Sequence, residues 1–266
     1  MDLSLEGRRA FVTGGSRGIG RAIARRLAEE GVRCAVCART RQPLEEAAAE
    51  ISSATGLEVV PVVADVLESA AVESAVTRAA ERLGGLEIVV NAAARVSGGG
   101  IPEDLHGVSE ETVAMDFDEK FLGALRVVRA ALPHLRRAGW GRIVTIGGLM
   151  SRTAGSVTAG ARNAAVVHLT KTLAVDLGRE GITANVVHPA LTVTDGLERR
   201  LAARAEREGT TVERLLEDLS SKSAIGRLVT ADEVADVVAF LASPRSIAIS
   251  GESISVGGGT GTSVHY

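Results

Sequence analysis

Short apolar runs rich in β-branched residues alternate along this chain with longer stretches in which apolar residues recur every three or four positions. RAFVT (9–13), RCAVC (33–37), EVVPVV (58–63), LEIVV (86–90), RIVTI (142–146) and ANVVH (184–188) are near-continuous apolar runs, as strands buried on both faces must be. The stretches 18–30, 41–53, 69–83, 110–137 and 157–179 read as amphipathic helices with Arg and Glu on their polar faces. GESISVGGG supplies a seventh strand at 252–256. Strands that alternate with helices pair in parallel through right-handed crossovers. The pattern therefore predicts an α/β fold of three layers, a doubly wound seven-stranded parallel sheet whose ligands bind at the carboxyl ends of the strands.

No repeat or linker divides the chain, so residues 1–266 are read as one domain. Gly98, Gly99 and Gly100 form a flexible tip after the fourth strand. The charged helical stretch LERRLAARAEREGTTVERLLEDLS follows a strand end and predicts a substrate lid at about 194–223. A solvated helical excursion with no mobility fits the same charge pattern equally well, because charge reports exposure and not motion.

The first strand runs directly into Thr13-Gly14-Gly15-Ser16-Arg17-Gly18-Ile19-Gly20, and a helix starts at once. Glycines at 14, 18 and 20 permit a tight turn, close backbone approach to a pyrophosphate and close packing of helix on strand, while the free N–H groups of the helix face the anion. The strand before and the helix after are the context this chemistry requires.

Composition narrows the possible partners. A net charge of −3 with arginines interleaved among acids gives no basic field, which argues against nucleic acid. No run of about 18 apolar residues is present and the opening MDLSLEGRRAFVTGG is too polar for a signal peptide, so no membrane association is expected and a cytoplasmic location is. Cys34 and Cys37 have redox-motif spacing, but three residues apart on a strand they face opposite sides and read as reduced core thiols. No metal site is expected. The six aromatics are Phe11, Phe117, Phe121, Phe240, Trp140 and Tyr266, and the three lysines are Lys120, Lys171 and Lys222. A mechanism that needs Tyr and Lys close together in sequence is excluded by inspection.

The chain resembles the short-chain dehydrogenase/reductase family. Thr-Gly-x-x-x-Gly-x-Gly is matched in full at 13–20, followed in order by Asp65 in VVADV, Asn91 opening NAAA, RRAGWGRIVTI, HPALTVT and ISGESISVGGG. The resemblance implies a Rossmann-type sheet, a homotetramer, and a nicotinamide dinucleotide held by Gly14, Ser16, Arg17, Gly18, Ile19, Gly20, Asp65, Val66, Asn91, Ala93, Asn163 and Thr194. The second strand ends Cys37-Ala38-Arg39 with no carboxylate for a ribose diol, and Arg17 lies in the glycine turn. Two guanidiniums there favour a 2′-phosphate and hence NADP(H) over NAD(H); the alternative is that both are exposed helix-start charges.

At the positions where the family carries its catalytic residues, this chain differs. Alignment on LTKTLAVDL puts Ala159 at the tyrosine and Asn163 at the lysine; the serine position falls at Gly148 or Gly147, and the upstream asparagine at Lys120. The resemblance thus implies an atypical member without the Ser-Tyr-Lys set. In one reading Lys120 and Asn163 have exchanged places, with Lys120 supplying the cation and Asn163 bonding the ribose. In the other, Lys120 pairs with Asp116 at i−4 on the helix surface. Ser151, Thr153 and Thr158 read as loop or cap hydroxyls. His188 is structural or catalytic, and Tyr266 is imaginable as a rescue in trans.

Three functions remain open on a small-molecule substrate. The first is NADP(H)-dependent oxidoreductase chemistry on a conjugated or otherwise activated substrate, with a proton from water or Lys120; HLTKTLAVDLG and Ala159 resemble the 2,4-dienoyl-CoA reductase branch, which lacks the tyrosine, while Asn163 departs from it. The second is a non-redox dehydratase, isomerase or cyclase. The third is a non-catalytic subunit in a hetero-oligomer with an active paralogue.

Overall fold

The computed structural model describes residues 1–94 and 107–262. Its main sheet contains β1 (Arg9–Thr13), β2 (Arg33–Ala38), β3 (Val60–Val63), β4 (Ile88–Asn91), β5 (Gly141–Ile146), β6 (Ile182–Pro189) and β9 (Ser253–Val256), in the order β3-β2-β1-β4-β5-β6-β9 and parallel throughout. Strand order reverses between β1 and β4, and the crevice at such a reversal is where open α/β sheets bind ligands. Register brings the carboxyl ends level there, with Thr13 opposite Asn91 and Asn91 opposite Thr145.

Helices cover both faces. α1 (Gly18–Glu29), α2 (Arg41–Thr55) and α9 (Ala231–Leu241) bury Ile23, Leu27, Leu44, Ile51 and Val238 against one face. α3 (Ser69–Leu83), α5 (Gly123–Ala138) and α6 (Val157–Leu177) bury Val76, Leu83, Val127, Leu135 and Leu177 against the other. Cys34 packs into the first core and Cys37 into the second; burial pushes both thiols up to about 12. They are free thiols on opposite sides of one strand, which carries no disulfide exchange.

Four differences from the sequence pattern have physical causes. β3 and β6 begin at Val60 and Ile182 and not at 58 and 184, and β4 is displaced toward Asn91, because ladder pairing and not apolarity sets strand ends. The single helix expected at 110–137 is α4 (Glu110–Phe117), a π-helical turn (Asp118–Leu122) and then α5, so one residue of excess is inserted around Lys120. α9 lies outside the elements the pattern predicts, although Thr230 and Glu233 form a reciprocal capping box that its sequence advertises. The excursion at 194–223 is two helices, α7 (Asp195–Glu208) and α8 (Val212–Ser220), closed at the base by an unforeseen pair of short parallel strands, β7 (Thr192–Val193) and β8 (Val229–Thr230). Leu197, Leu201, Ala205 and Leu215 form a small core of their own. The glycine tip at 98–100 and Tyr266 lie outside the described residues. Among the described residues no helix is long and apolar enough to cross a membrane, and no cluster of three or more metal-ligating side chains occurs.

Candidate active site and nucleotide cleft

The glycine turn is built by close approach. Gly14 and Gly18 have φ of +70° and +56°, in the left-handed region. A Cβ on Gly20 would overlap the Gly14 carbonyl, so α1 sits directly on the end of β1. The Thr13 hydroxyl accepts from the N–H groups of Ala92 and Ala93, both at 3.1 Å, and fixes the turn after β4 against the glycine loop. Arg17 precedes α1 in extended conformation with no side-chain cap, leaving the helix N–H groups available to an anion. Ser16 and Ile19 are partly buried and Arg17 is exposed. Thr194 caps α7 by accepting from Leu197 N–H, and its methyl faces Gly18. One end of the cleft therefore gathers residues nearly 180 positions apart in sequence.

Farther along, Val66, Asn91, Ala93, Glu119, Lys120 and Thr145 line one pocket. Asp65 accepts from Leu67 N–H at 3.1 Å and fixes the turn that carries Val66. Asn91 donates to Thr145 Oγ1 at 3.3 Å, while its Oδ1 is buried with no hydrogen-bond partner. Arg39 is half-exposed at the end of β2, with Nη1 3.9 Å from Glu119 Oε1. Glu119 was not foreseen from the sequence; its signal is an acid at the π turn, visible only once α4 and α5 are known to be joined there.

Lys120 turns inward. Only 8% exposed, its Nζ donates to the Gly147 carbonyl at 3.1 Å. The surface pairing with Asp116 does not form: Asp116 is buried and binds Arg162 of α6 at 2.9 Å, because the π turn rotates Lys120 off the face that Asp116 occupies. Burial lowers the Lys120 pKa to about 7, helped by the nearby Arg162 charge and opposed by Glu119 and Asp116. π turns of this kind are frequent at functional sites.

Gly147 and Gly148 follow β5 with no room for a side chain. A Cβ on Gly147 would lie 2.5 Å from His188 Nδ1, and one on Gly148 2.9 Å from Asn163 Nδ2. Asn163 is buried on α6, and its Oδ1 has no hydrogen-bond partner. Lys120 and Asn163 thus both meet one two-residue turn, Lys120 at Gly147 and Asn163 at Gly148. Ala159 is buried in the first turn of α6 and presents only a methyl, its N–H spent on the Ser156 cap. Ser151 Oγ lies 3.4 Å from His188 Nδ1, Thr153 bonds the Leu149 carbonyl, and Thr158 is buried on α6. A Gly148→Ser substitution is expected to displace Asn163 and to cost about 1–3 kcal/mol by overpacking. Urea unfolding checks it, and an unchanged midpoint would mean that Asn163 moves freely.

The cleft fits a dinucleotide: glycines that let the backbone approach phosphates, an uncapped helix start, and two buried amide oxygens, of Asn91 and Asn163, with acceptor capacity unused. Comparison with known proteins agrees. The family model described as enoyl-(acyl carrier protein) reductase matches residues 14–261. The chain belongs to the short-chain dehydrogenase/reductase family. It is 34% identical over 253 residues to short-chain reductase protein NovJ of Streptomyces niveus, covering 94% of this chain and 92% of that one. It is 35% identical to the 3-oxoacyl-[acyl-carrier-protein] reductase FabG of Pseudomonas aeruginosa, covering 97% and 98%. L-sorbose reductase from Gluconobacter frateurii, solved with NADPH and L-sorbose, superposes with a TM-score of 0.93 at 26% identity, covering 99% of this chain and all of that one. The family assignment accounts for the sheet order and the glycine turn.

Proposed function

We propose that this protein is an NADP(H)-dependent reductase of a small conjugated or otherwise activated carbonyl substrate, in which Lys120 and not a tyrosine supplies the proton. The observation that carries this reading is the inward Lys120 amine, seated on the Gly147 carbonyl in the ligand crevice and titrating near 7. The reductase and NADPH descriptions of its relatives and structural neighbours support the redox class.

The pyrophosphate would rest on the backbone from Gly14 to Gly20, with Ser16, Arg17, Gly18 and Ile19 around it. Arg17 and Arg39 would take the 2′-phosphate, Asp65 and Val66 the adenine, and Asn91 and Ala93 the middle of the molecule. Asn163 would accept from the nicotinamide ribose through its orphaned Oδ1, and Thr194 would meet the carboxamide. When bound, NADPH supplies a hydride. Lys120 Nζ, in its ammonium form, gives one proton to the substrate atom that gains electron density and regains it from solvent. Ala159 and Gly148 carry no donor, so a simple ketone receives no hydroxyl acid at its oxygen. α7 and α8 would cover the substrate as a lid, and a homotetramer is the assembly the reading carries.

The test is NADPH consumption with a panel of enones, enoyl thioesters and ketones. Oxidation with the conjugated members is expected. Tight NADPH binding with no turnover on any of them sinks the redox reading. Substrate conversion with unchanged NADPH absorbance selects dehydratase, isomerase or cyclase chemistry. The loss of every hydroxyl donor at 147, 148 and 159 favours one further reading, a cofactor-binding subunit. Co-purification with a Tyr-x-x-x-Lys relative would select it.

A further inference from the structure

His188 is fully buried at the end of β6, and the reading above gives it no role. Its Nδ1 lies 2.9 Å from both the N–H and the carbonyl oxygen of Gly148. With Nδ1 unprotonated the neutral ring accepts from the Gly148 N–H, which shares one peptide with the Gly147 carbonyl; with Nδ1 protonated it donates to the carbonyl of the following peptide, Gly148–Leu149. The ring also occupies the volume where a side chain at 147 would lie, which is why 147 is glycine. The preceding peptide is anchored separately, through Gly147 N–H to the Val187 carbonyl at 2.7 Å. The Gly147 carbonyl, so held, is the hydrogen-bond acceptor of Lys120 Nζ.

We propose that His188 is a positioning residue of this site: by accepting from the Gly148 N–H it holds the Gly147–Gly148 peptide, and with it the Gly147 carbonyl on which the Lys120 amine is seated. The inference rests on the assignment of Lys120 as proton donor. The charged groups around the amine are Asp116 of α4, Glu119 of the π turn and Arg162 of α6, and those that act on His188 are Arg152 and Lys120 itself. Burial pushes the His188 pKa down to about 4, so the ring stays neutral while Lys120 titrates. Loosening the turn admits water to the amine and returns Lys120 toward its ordinary range, since burial is the largest cause of its shift.

Three lysines make the measurement direct. In protein labelled with ε-carbon-13 lysine, the Lys120 resonance is the one lost in Lys120→Met. His188→Asn keeps a polar atom at the place of Nδ1 and is expected to leave the Lys120 titration within about half a pH unit of the parent. His188→Gln puts its amide at the place of Nε2, and His188→Leu has none; both are expected to raise the titration by at least one unit, a tenfold change in proton affinity. The pH profile of NADPH oxidation should move in parallel. NADPH affinity and a cooperative unfolding transition identify folded variants, and the Asn and Gln pair decides the question if the Leu variant does not fold. An unmoved Lys120 in folded His188→Gln, or equal shifts in Gln and Asn, overturns the positioning role. If instead Lys120→Met keeps full activity, the proton-donor assignment fails while the His188 contact stands.

Discussion

Lys120→Met is expected to lower kcat for NADPH oxidation by about 10²- to 10⁴-fold, the range over which positioned acids act, with NADPH affinity unchanged within about twofold. Lys120→Arg should be as inactive, because a guanidinium keeps the charge but does not release its proton at neutral pH. That pair separates proton donation from simple electrostatic attraction, which Arg would rescue. In the parent protein, kcat should fall as pH rises through about 7, where the ammonium is lost. The sign for stability is opposite. The folded pKa lies below the ordinary lysine value of 10.5, so the unfolded chain binds more protons between about 7 and 10.5, and this group makes stability rise with pH across that window. Lys120→Met removes the cost of burying the charge, and its Tm should exceed the parent's at pH 6 by several degrees. A variant that is both less active and less stable would mean that the lysine serves the fold.

Gly20→Val should strike the nucleotide half of the cleft alone. Its side chain would occupy the space of the Gly14 carbonyl, forcing α1 off the end of β1. The expected cost is about 1–3 kcal/mol of overpacking and a loss of NADPH affinity of roughly 100-fold, read by a binding titration on folded protein. Gly56→Ala is the control. Gly56 also has positive φ, +74°, but a Cβ there meets nothing within 4 Å, so only stability should drop and NADPH affinity should hold. Equal binding by Gly20→Val and the parent would remove the glycine turn from the site.

The two halves of the cleft were unequally legible in the sequence. Thr13 to Gly20 announces itself because its glycines sit at fixed spacing between a strand and a helix, even though Gly14 answers Ala92 and Gly18 answers Thr194 far along the chain. The parallel sheet with helices on both faces follows from the alternation of runs, while its strand order is a long-range property that the alternation leaves open. Lys120 was legible both as an inward cation and as a surface partner of Asp116, and the sequence does not decide between them because the π turn that rotates it, packed with α4 against α6, has no local signature. Asp116 shows the same limit. Its i+4 partner in sequence is Lys120, yet it binds Arg162, 46 residues away, since a buried carboxylate selects the guanidinium that shares its burial. The pairing of His188 with Gly148 spans 40 residues and depends on the preceding residue, Gly147, having no side chain, a fact that composition records but cannot interpret.

The short strands β7 and β8 give the helical excursion between them a property of its own. Thr192 pairs with Val229 and Val193 with Thr230, so the chain leaves and re-enters the scaffold at a single pinned point. Everything between behaves as an exchangeable cassette with its own small core. Its ends are already closed, so a change in its length or sequence adds little loop entropy. One segment can then be replaced as a unit, while the cradle built from Gly14, Gly18 and Gly20 is inherited intact.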